Sequence, residues 1–468
     1  MTKKKEKKGF PHTYVILLGI AVLVAFLTWV VPAGEFERID VDGRTMVVPD
    51  SYRQIEANPQ NPWDFLQAIP EGLNETADII FFIFIVGGVF NIIMKTGMIE
   101  AGIGKISKSM KNKEWLIIPA MITIFSIAGG TIGLSEETIV FIPIGIVLAE
   151  SLGYDRMVGF GMITLGASVG FNAGFMNPFT IGVAQGVAEL PFTSGLALRM
   201  VLLVVLILVT SWYLISYGHK IKKDPTLSVV YNKETGSYFS GEEFMASTEM
   251  PEFTGRHKLV LLTMVIGFGL IAFGAAKWGW YIGEIGSTFL GMGIISGLVG
   301  GQSFDQMADI FIDGAKDVVF AALVVGVARV ILVVMEKGLI IDTIIHFLSS
   351  LISGLPKLLG SIGMYIIQIV INFFIPSGSG QAAATMPIMV PLGDTLGLTR
   401  QTTVLAFQLG DGFMDSIIPT SGVLMAQLAV AKIGFNKYAK WVGKLMALWL
   451  IAGMIFLVFA TIINYGPF

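Results

Sequence analysis

Two stretches of the chain read as one sequence written twice: Pro143–Arg156, PIGIVLAESLGYDR, and Pro387–Arg400, PIMVPLGDTLGLTR. The offset of 387 − 143 = 244 residues pairs Leu148 with Leu392, Leu152 with Leu396 and Gly153 with Gly397, and sets Glu150 over Asp394. Carried towards the N-terminus, it places GLSEE (Gly133–Glu137) over SGSGQ (Ser377–Gln381), then drifts to 242 and sets Glu71-Gly72 over Asp313-Gly314. An internal duplication in a strongly apolar chain is the mark of a two-repeat membrane transporter, with its substrate site where the repeats meet.

Composition agrees. Of 468 residues 54% are hydrophobic and only 14% charged, against roughly a quarter charged in soluble domains. The chain has no cysteine, which excludes disulfides, thiolate metal sites and cysteine catalysis, and its four histidines have no metal-ligand spacing. Neither a Walker motif nor a dinucleotide fingerprint is present. The expected fold is an all-α polytopic membrane protein with two inverted-topology repeats, each carrying a re-entrant helical hairpin and a broken transmembrane helix.

Lysines give the orientation. The basic start MTKKKEKKGFPH precedes an apolar run, Tyr14–Val31. That run is long for a signal-peptide core and its end, residues 30–34, is a poor cleavage site, so it reads as a first span with its basic end in the cytoplasm. The loop 32–61 carries six acids and no lysine, which suits the outside. After the span 79–94 come Lys95, Lys105, Lys108, Lys111 and Lys113, then Lys220, Lys222 and Lys223 after the span 197–217, and Lys432, Lys437, Lys440 and Lys444 before the last span, 445–463. All mark the cytoplasm, of a bacterial cell membrane with the N-terminus inside. The first hairpin then enters from the cytoplasm and the second from outside.

The expected divisions are 1–63, an N-terminal transmembrane helix with an extracellular loop; 64–218, a first repeat with its hairpin near 115–149; 219–257, a cytoplasmic linker; 258–304, connecting helices; and 305–468, a second repeat with its hairpin near 358–392. An amphipathic stretch, 339–353, is expected at the interface. The hairpins break at 129–135 and 376–381, where segments too short to cross a bilayer meet Gly/Ser-rich sequence. Broken helices are expected at 171–180 and over 401–431, the second with breaks at 410–415 and 419–421. Irregular backbone at membrane depth is tolerated only within protein or around a watery cavity.

The candidate binding residues gather at these breaks. Ser135, Ser377, Ser379 and Gln381 sit where half-helices begin, and free N–H groups there attract a substrate carboxylate; the plain alternative for Ser135 is an N-cap. Glu136, Glu137, Asp411 and Asp415 are acids where hydrocarbon should be, which marks ion or substrate paths. The alternative is that one pair neutralises Arg329, the lone arginine of the apolar run 322–331. Asn172, Asn177, Thr180, Thr420 and Ser421 supply amides and hydroxyls, either for Na⁺ or merely for freed backbone. Gly87, Gly88, Gly129, Gly130 and Gly166 read as close-packing positions.

The motifs GGTIGLSEET (129–138), GFNAGFMNPFTIG (170–182), IPSGSGQAAATMP (375–387) and GDGFMDSIIPTSG (410–422), with the opening KKGFPHTYVILLGI…WVVPAGEFER, resemble those of the YfcC family over nearly the whole chain. That family is grouped with the anaerobic C4-dicarboxylate carriers in the ion transporter superfamily, and some relatives are described as ArcD-type arginine/ornithine antiporters. The resemblance implies a scaffold domain, a moving transport domain and a homodimer working by an elevator motion. Three functions follow as expectations. The first is a secondary transporter for a basic amino acid, such as an arginine/ornithine antiporter, because acids outnumber the one intramembrane cation. The second is a Na⁺- or H⁺-coupled carrier of C4-dicarboxylates or other anions. The third, a membrane enzyme or receptor, finds no nucleophile–base pair, metal cluster or sensory domain to support it. No cofactor is expected beyond Na⁺ or H⁺ as coupling ion. The expected partners are a small-molecule substrate and the lipid bilayer, with no nucleic acid.

Overall fold

The first helix, α1 (Thr13–Val30), is apolar on every face, as a segment solvated by lipid must be. The computed structural model describes residues 12–41, 44–48, 50–99, 101–102, 113–191, 194–232, 236–238, 252–278, 280 and 282–466. The basic N-terminal residues, Lys105, Lys108 and Lys111, and part of the 219–257 linker lie outside them. After α1, residues 32–61 form two small antiparallel ribbons, β1 (Gly34–Glu35) with β4 (Arg53–Gln54) and β2 (Arg38–Val41) with β3 (Arg44–Val47).

Helices then follow as α2 (Pro62–Glu75), α3 (Ala77–Met94), α4 (Ile117–Thr131), α5 (Thr138–Ser151), α6 (Arg156–Ala173), α7 (Ile181–Val187) and α8 (Leu196–Lys223). Next come α9 (Gly255–Trp278), α10 (Ile282–Gly300), α11 (Phe304–Asp317), α12 (Val319–Lys337) and α13 (Ile341–Ser350). The last five are α14 (Lys357–Phe374), α15 (Gly378–Thr395), α16 (Arg400–Asp415), α17 (Gly422–Val430) and α18 (Phe435–Ile462). Eight helical segments among the described residues are long and apolar enough to cross a membrane. The protein is a multi-pass, all-α membrane protein.

The sequence offset recurs in the elements. α3 and α12 begin 319 − 77 = 242 residues apart, and α6 and α16 begin 400 − 156 = 244 apart. α2 and α11, which sequence reading missed, have equal lengths of 14 residues and N-caps 303 − 61 = 242 apart. Each opens with a capping box: Asn61 with Asp64, and Ser303 with Gln306. That reciprocal pairing satisfies two otherwise free N–H groups and was the legible signal for both helices. The four helices pack crosswise, α2 on α12 and α11 on α3, with α1, α9 and α10 around them.

The other set holds the hairpins. α4 and α5 lie against α6, α14 and α15 against α16, and α6 touches α16. α8 and α18, each 28 residues, brace both groups. α17 lies along α12 and joins this set to the first. Small residues permit the closest approaches. A Cβ on Gly129 would strike the Ala167 carbonyl, and one on Gly170 would strike the Ser126 carbonyl, so α4 and α6 meet backbone to backbone. Gly87, Gly130 and Gly166 are packed against both side chains and backbone of their neighbours, and Gly88 against the Phe311 ring.

On the α5–α6 turn, Asp155 caps α6 through the Val158 N–H at 3.0 Å and accepts from the hydroxyls of Tyr217 and Ser228, both at 2.6 Å. Ser228 thus fastens the start of the linker to the hairpin bundle. Burial pushes the Asp155 carboxyl up from its ordinary value, while these hydrogen bonds pull the other way.

Candidate functional site

Both tips lie where a helix ends: α4 at Thr131 and α14 at Phe374, each of which belongs to a segment long and apolar enough to span a membrane rather than to a half-length helix as expected. At the first tip Gly133 takes φ +69°, and a Cβ there would meet Asn177 Oδ1 at 2.8 Å, so the tip rests on the first helix break. The Met176 N–H donates to the Gly130 carbonyl at 3.0 Å and holds the two together. Ser135 is not an N-cap: α5 begins after Glu137 with no side-chain cap. Its first N–H groups turn back in tight bonds, Thr138 to the Ser135 carbonyl at 3.1 Å and Ile139 to the Glu136 carbonyl at 3.2 Å. The Ser135 N–H donates to Glu137 Oε2 at 3.1 Å. The first tip therefore offers carboxylates, not free donors.

The second tip is its opposite. Ser377 caps α15, its hydroxyl accepting the Gly380 N–H at 3.3 Å. The N–H groups of Gly378 and Ser379 fall in the first turn, which has no intrahelical acceptor for them. Both residues line the central cavity.

That cavity has a volume of about 290 Å³, near the lower end of the roughly 300–1,000 Å³ usual for small-molecule sites. Both tips and both breaks border it. Ser135, Glu136, Glu137 and Asn172 line it from the first repeat, and Ser377, Ser379, Asp415, Thr420 and Ser421 from the second. Four expected residues do not reach it. Asn177 folds back to accept the Phe179 N–H at 2.9 Å. Gln381 is absorbed into hairpin 2, where its amide donates to Gln368 Oε1 at 2.6 Å and its oxygen accepts from Asn372 at 3.1 Å. Thr180 and Asp411 lie fully buried behind the cavity wall.

The expected break at 410–415 is corrected. α16 runs unbroken to Asp415, and the chain opens only at 416–421. Gly410 and Gly412 serve close packing instead: a Cβ on Gly410 would meet the Tyr365 carbonyl at 3.0 Å, and one on Gly412 would meet Asn172 Cα at 3.0 Å. Asp411 and Asp415, four residues apart, consequently share one helix face.

Two glutamines that sequence reading missed tie the repeats together. Gln408 of α16 donates to the Phe171 carbonyl at 2.7 Å, an acceptor freed where α6 ends. Gln427 of α17 donates to Thr138 Oγ1 at 2.6 Å and to the Ser135 carbonyl at 3.4 Å, holding the first tip. Nothing in their local sequence marks them, because each acts on a segment more than 200 residues away.

Arg329 is the one basic residue among those lining the cavity in the described structure. It does not neutralise the tip and break acids. Its Nε lies 2.6 Å from Glu75 Oε2 and its Nη2 3.8 Å from Glu336 Oε1. The neighbouring Lys337 is paired with Glu71. Glu136, Glu137 and Asp415 thus face the cavity without a basic partner in it.

Residues 10–462 match the DcuC family, described as C4-dicarboxylate anaerobic carrier. The chain belongs to the DcuC family. It is 35% identical to an Escherichia coli protein named putative basic amino acid antiporter YfcC, over 99% of both chains. An uncharacterized Haemophilus influenzae protein is 30% identical over 98% of each. Among solved structures, the Alcanivorax borkumensis YdaH transporter is similar at a TM-score of 0.45 and 13% identity, covering 98% of this chain and 100% of that one. Neisseria gonorrhoeae MtrF is similar at a TM-score of 0.42 and 18% identity, covering 96% and 95%. Membership of the DcuC family makes this chain a membrane carrier rather than an enzyme. Among the described residues no group of three His, Asp or Glu side chains is placed to hold a metal ion.

Proposed function

We propose that this carrier moves a basic amino acid, of the arginine and ornithine kind, by exchange across the bacterial cytoplasmic membrane. The observation that carries this reading is the charge of the cavity wall. Glu136, Glu137 and Asp415 line it, and the one cation beside them, Arg329, is already held by Glu75 and Glu336. A positively charged side chain supplies the missing charge. The opposite tip offers the N–H groups of Gly378 and Ser379, where an α-carboxylate fits. A basic amino acid carries both groups.

The rest of the reading is architectural. The repeats are inverted, with the N-terminus and the lysine-rich loops in the cytoplasm. The hairpin-bearing bundle travels against α2, α3, α11 and α12 as an elevator, in a homodimer. A second reading, an anionic C4-dicarboxylate, is favoured by the description of the family. It needs counter-charge that the wall does not supply. Uptake into proteoliposomes preloaded with ornithine, arginine or succinate separates the two. Labelled arginine should exchange with internal ornithine and not with succinate. Accumulation of succinate or fumarate, with none of arginine, would overturn the assignment.

A further inference from the structure

At the cavity wall and just behind it, four side-chain oxygens from four segments share one feature. Asp411 Oδ2, Asn172 Oδ1, Asn372 Oδ1 and Thr180 Oγ1 are all buried and have no hydrogen-bond partner among the described residues. Each of the four residues is 0% exposed. Their segments converge on α16. Asn372, at the end of α14, donates its amide to Asp411 Oδ1 at 3.0 Å and to Gln381 Oε1 at 3.1 Å. This fixes the amide orientation and turns Oδ1 away as a free acceptor. A Cβ on Gly378 would lie 3.2 Å from Asp411 Oδ2 and strike the Thr180 methyl, so the second tip, the first break and α16 converge there. A Cβ on Gly412 would lie 2.7 Å from Asn172 Oδ1. Thr180 precedes α7 but does not cap it.

Buried oxygens without partners are costly, and a buried carboxylate more so. We propose that Asp411 Oδ2, Asn172 Oδ1, Asn372 Oδ1 and Thr180 Oγ1 hold one Na⁺ ion, which locks hairpin 2 to the first helix break. One carboxylate among neutral oxygens is balanced by a single positive charge, and an all-oxygen set selects a hard cation. A proton on Asp411 would neutralise the carboxyl, yet it could serve at most one of the remaining oxygens. The site borders the cavity through Asn172, on the face of α16 that presents Asp415 one turn further on. The inference deepens the proposed carrier function by naming its coupling ion, and it does not depend on which metabolite is carried.

The test is a thermal-unfolding titration of the purified full-length carrier without substrate. NaCl replaces choline chloride at constant ionic strength, with a parallel KCl series and two pH values. Na⁺ should raise the midpoint by several degrees in a saturable way, at both pH values, and K⁺ should not. Asp411→Asn and Thr180→Val should each raise the half-saturating Na⁺ concentration by roughly tenfold or more. Should Asp411→Asn not fold, Thr180→Val and Asn172→Ala, compared with wild type in choline, carry the measurement. An unchanged midpoint in Na⁺, a response equal in K⁺, a response to pH alone, or full Na⁺ sensitivity in both variants would overturn the site. Because no substrate is present, a carrier that proves to move dicarboxylates leaves this result standing.

Discussion

Replacing Glu75 with Gln tests the charge argument at its weakest point. In the native protein Arg329 is held 2.6 Å from Glu75, and both side chains are 32% exposed. The Gln substitution keeps the shape and a hydrogen-bond acceptor but removes one negative charge beside the cavity, leaving Arg329 with Glu336 as its one remaining ion-pair partner among the described residues. A cavity of about 290 Å³, taken as a sphere, is about 8 Å across. A unit charge acting over about 8 Å at an effective dielectric of about 20 is worth about 2 kcal/mol, or roughly 30-fold in affinity. Glu336, 3.8 Å from the guanidinium, remains and takes back part of this. The expected rise in KM for arginine uptake therefore lies between about 5-fold and about 30-fold, with kcat less affected. Proteoliposome uptake measures it. Adding Arg329→Gln restores the charge balance and should bring KM back towards wild type. The sign is the decisive reading, because the same freed arginine would strengthen binding of a dianion. A lower KM for succinate in Glu75→Gln, or no change for arginine and no effect of the second substitution, would refute the reasoning.

Gly170→Ala should destabilise the protein by about 1–3 kcal/mol, since the new methyl meets the Ser126 carbonyl and lies 2.7 Å from Gly130 N, backbone that cannot step aside; a melting curve matching wild type would contradict the α4–α6 contact. Asp155 predicts a pH dependence. Its folded carboxyl sits above its ordinary value, so its contribution is full below the unfolded pKa of about 3.9 and is lost as pH rises through the folded value. Asp155→Asn should flatten that part of the stability profile, measured as midpoint against pH, and an identical slope in both proteins would remove Asp155 as its source.

Much of the architecture was legible because a membrane restricts it. Long apolar runs such as 197–217 and 445–463 can only be helices in lipid, and they appear as α8 and α18. The duplicated segments were legible because the same local sequence makes the same element, and α6 and α16 start at the quoted offset. The two hairpin tips were marked by Gly and Ser, where no helix continues. Short amphipathic helices were less visible. α2 and α11 are polar enough to pass for loop, and only their capping boxes reveal them.

What the sequence alone determined was therefore local: which segments are helices, where they break, and that acids stand at the breaks. Only the tertiary structure decided what those residues face. Gly410 and Gly412 read as a break and proved to be contact surfaces, because a glycine's meaning depends on what approaches it. Gln381 read as a ligand and is spent inside hairpin 2, while Gln427, unmarked in sequence, holds the opposite tip. Arg329 stood in the sequence as an alternative partner for one pair of the intramembrane acids, and the partners it has are Glu75, 254 residues earlier, and Glu336. Helix formation depends on neighbours three or four residues away. Charge pairing and cavity shape depend on which distant segments the fold brings within a few ångströms.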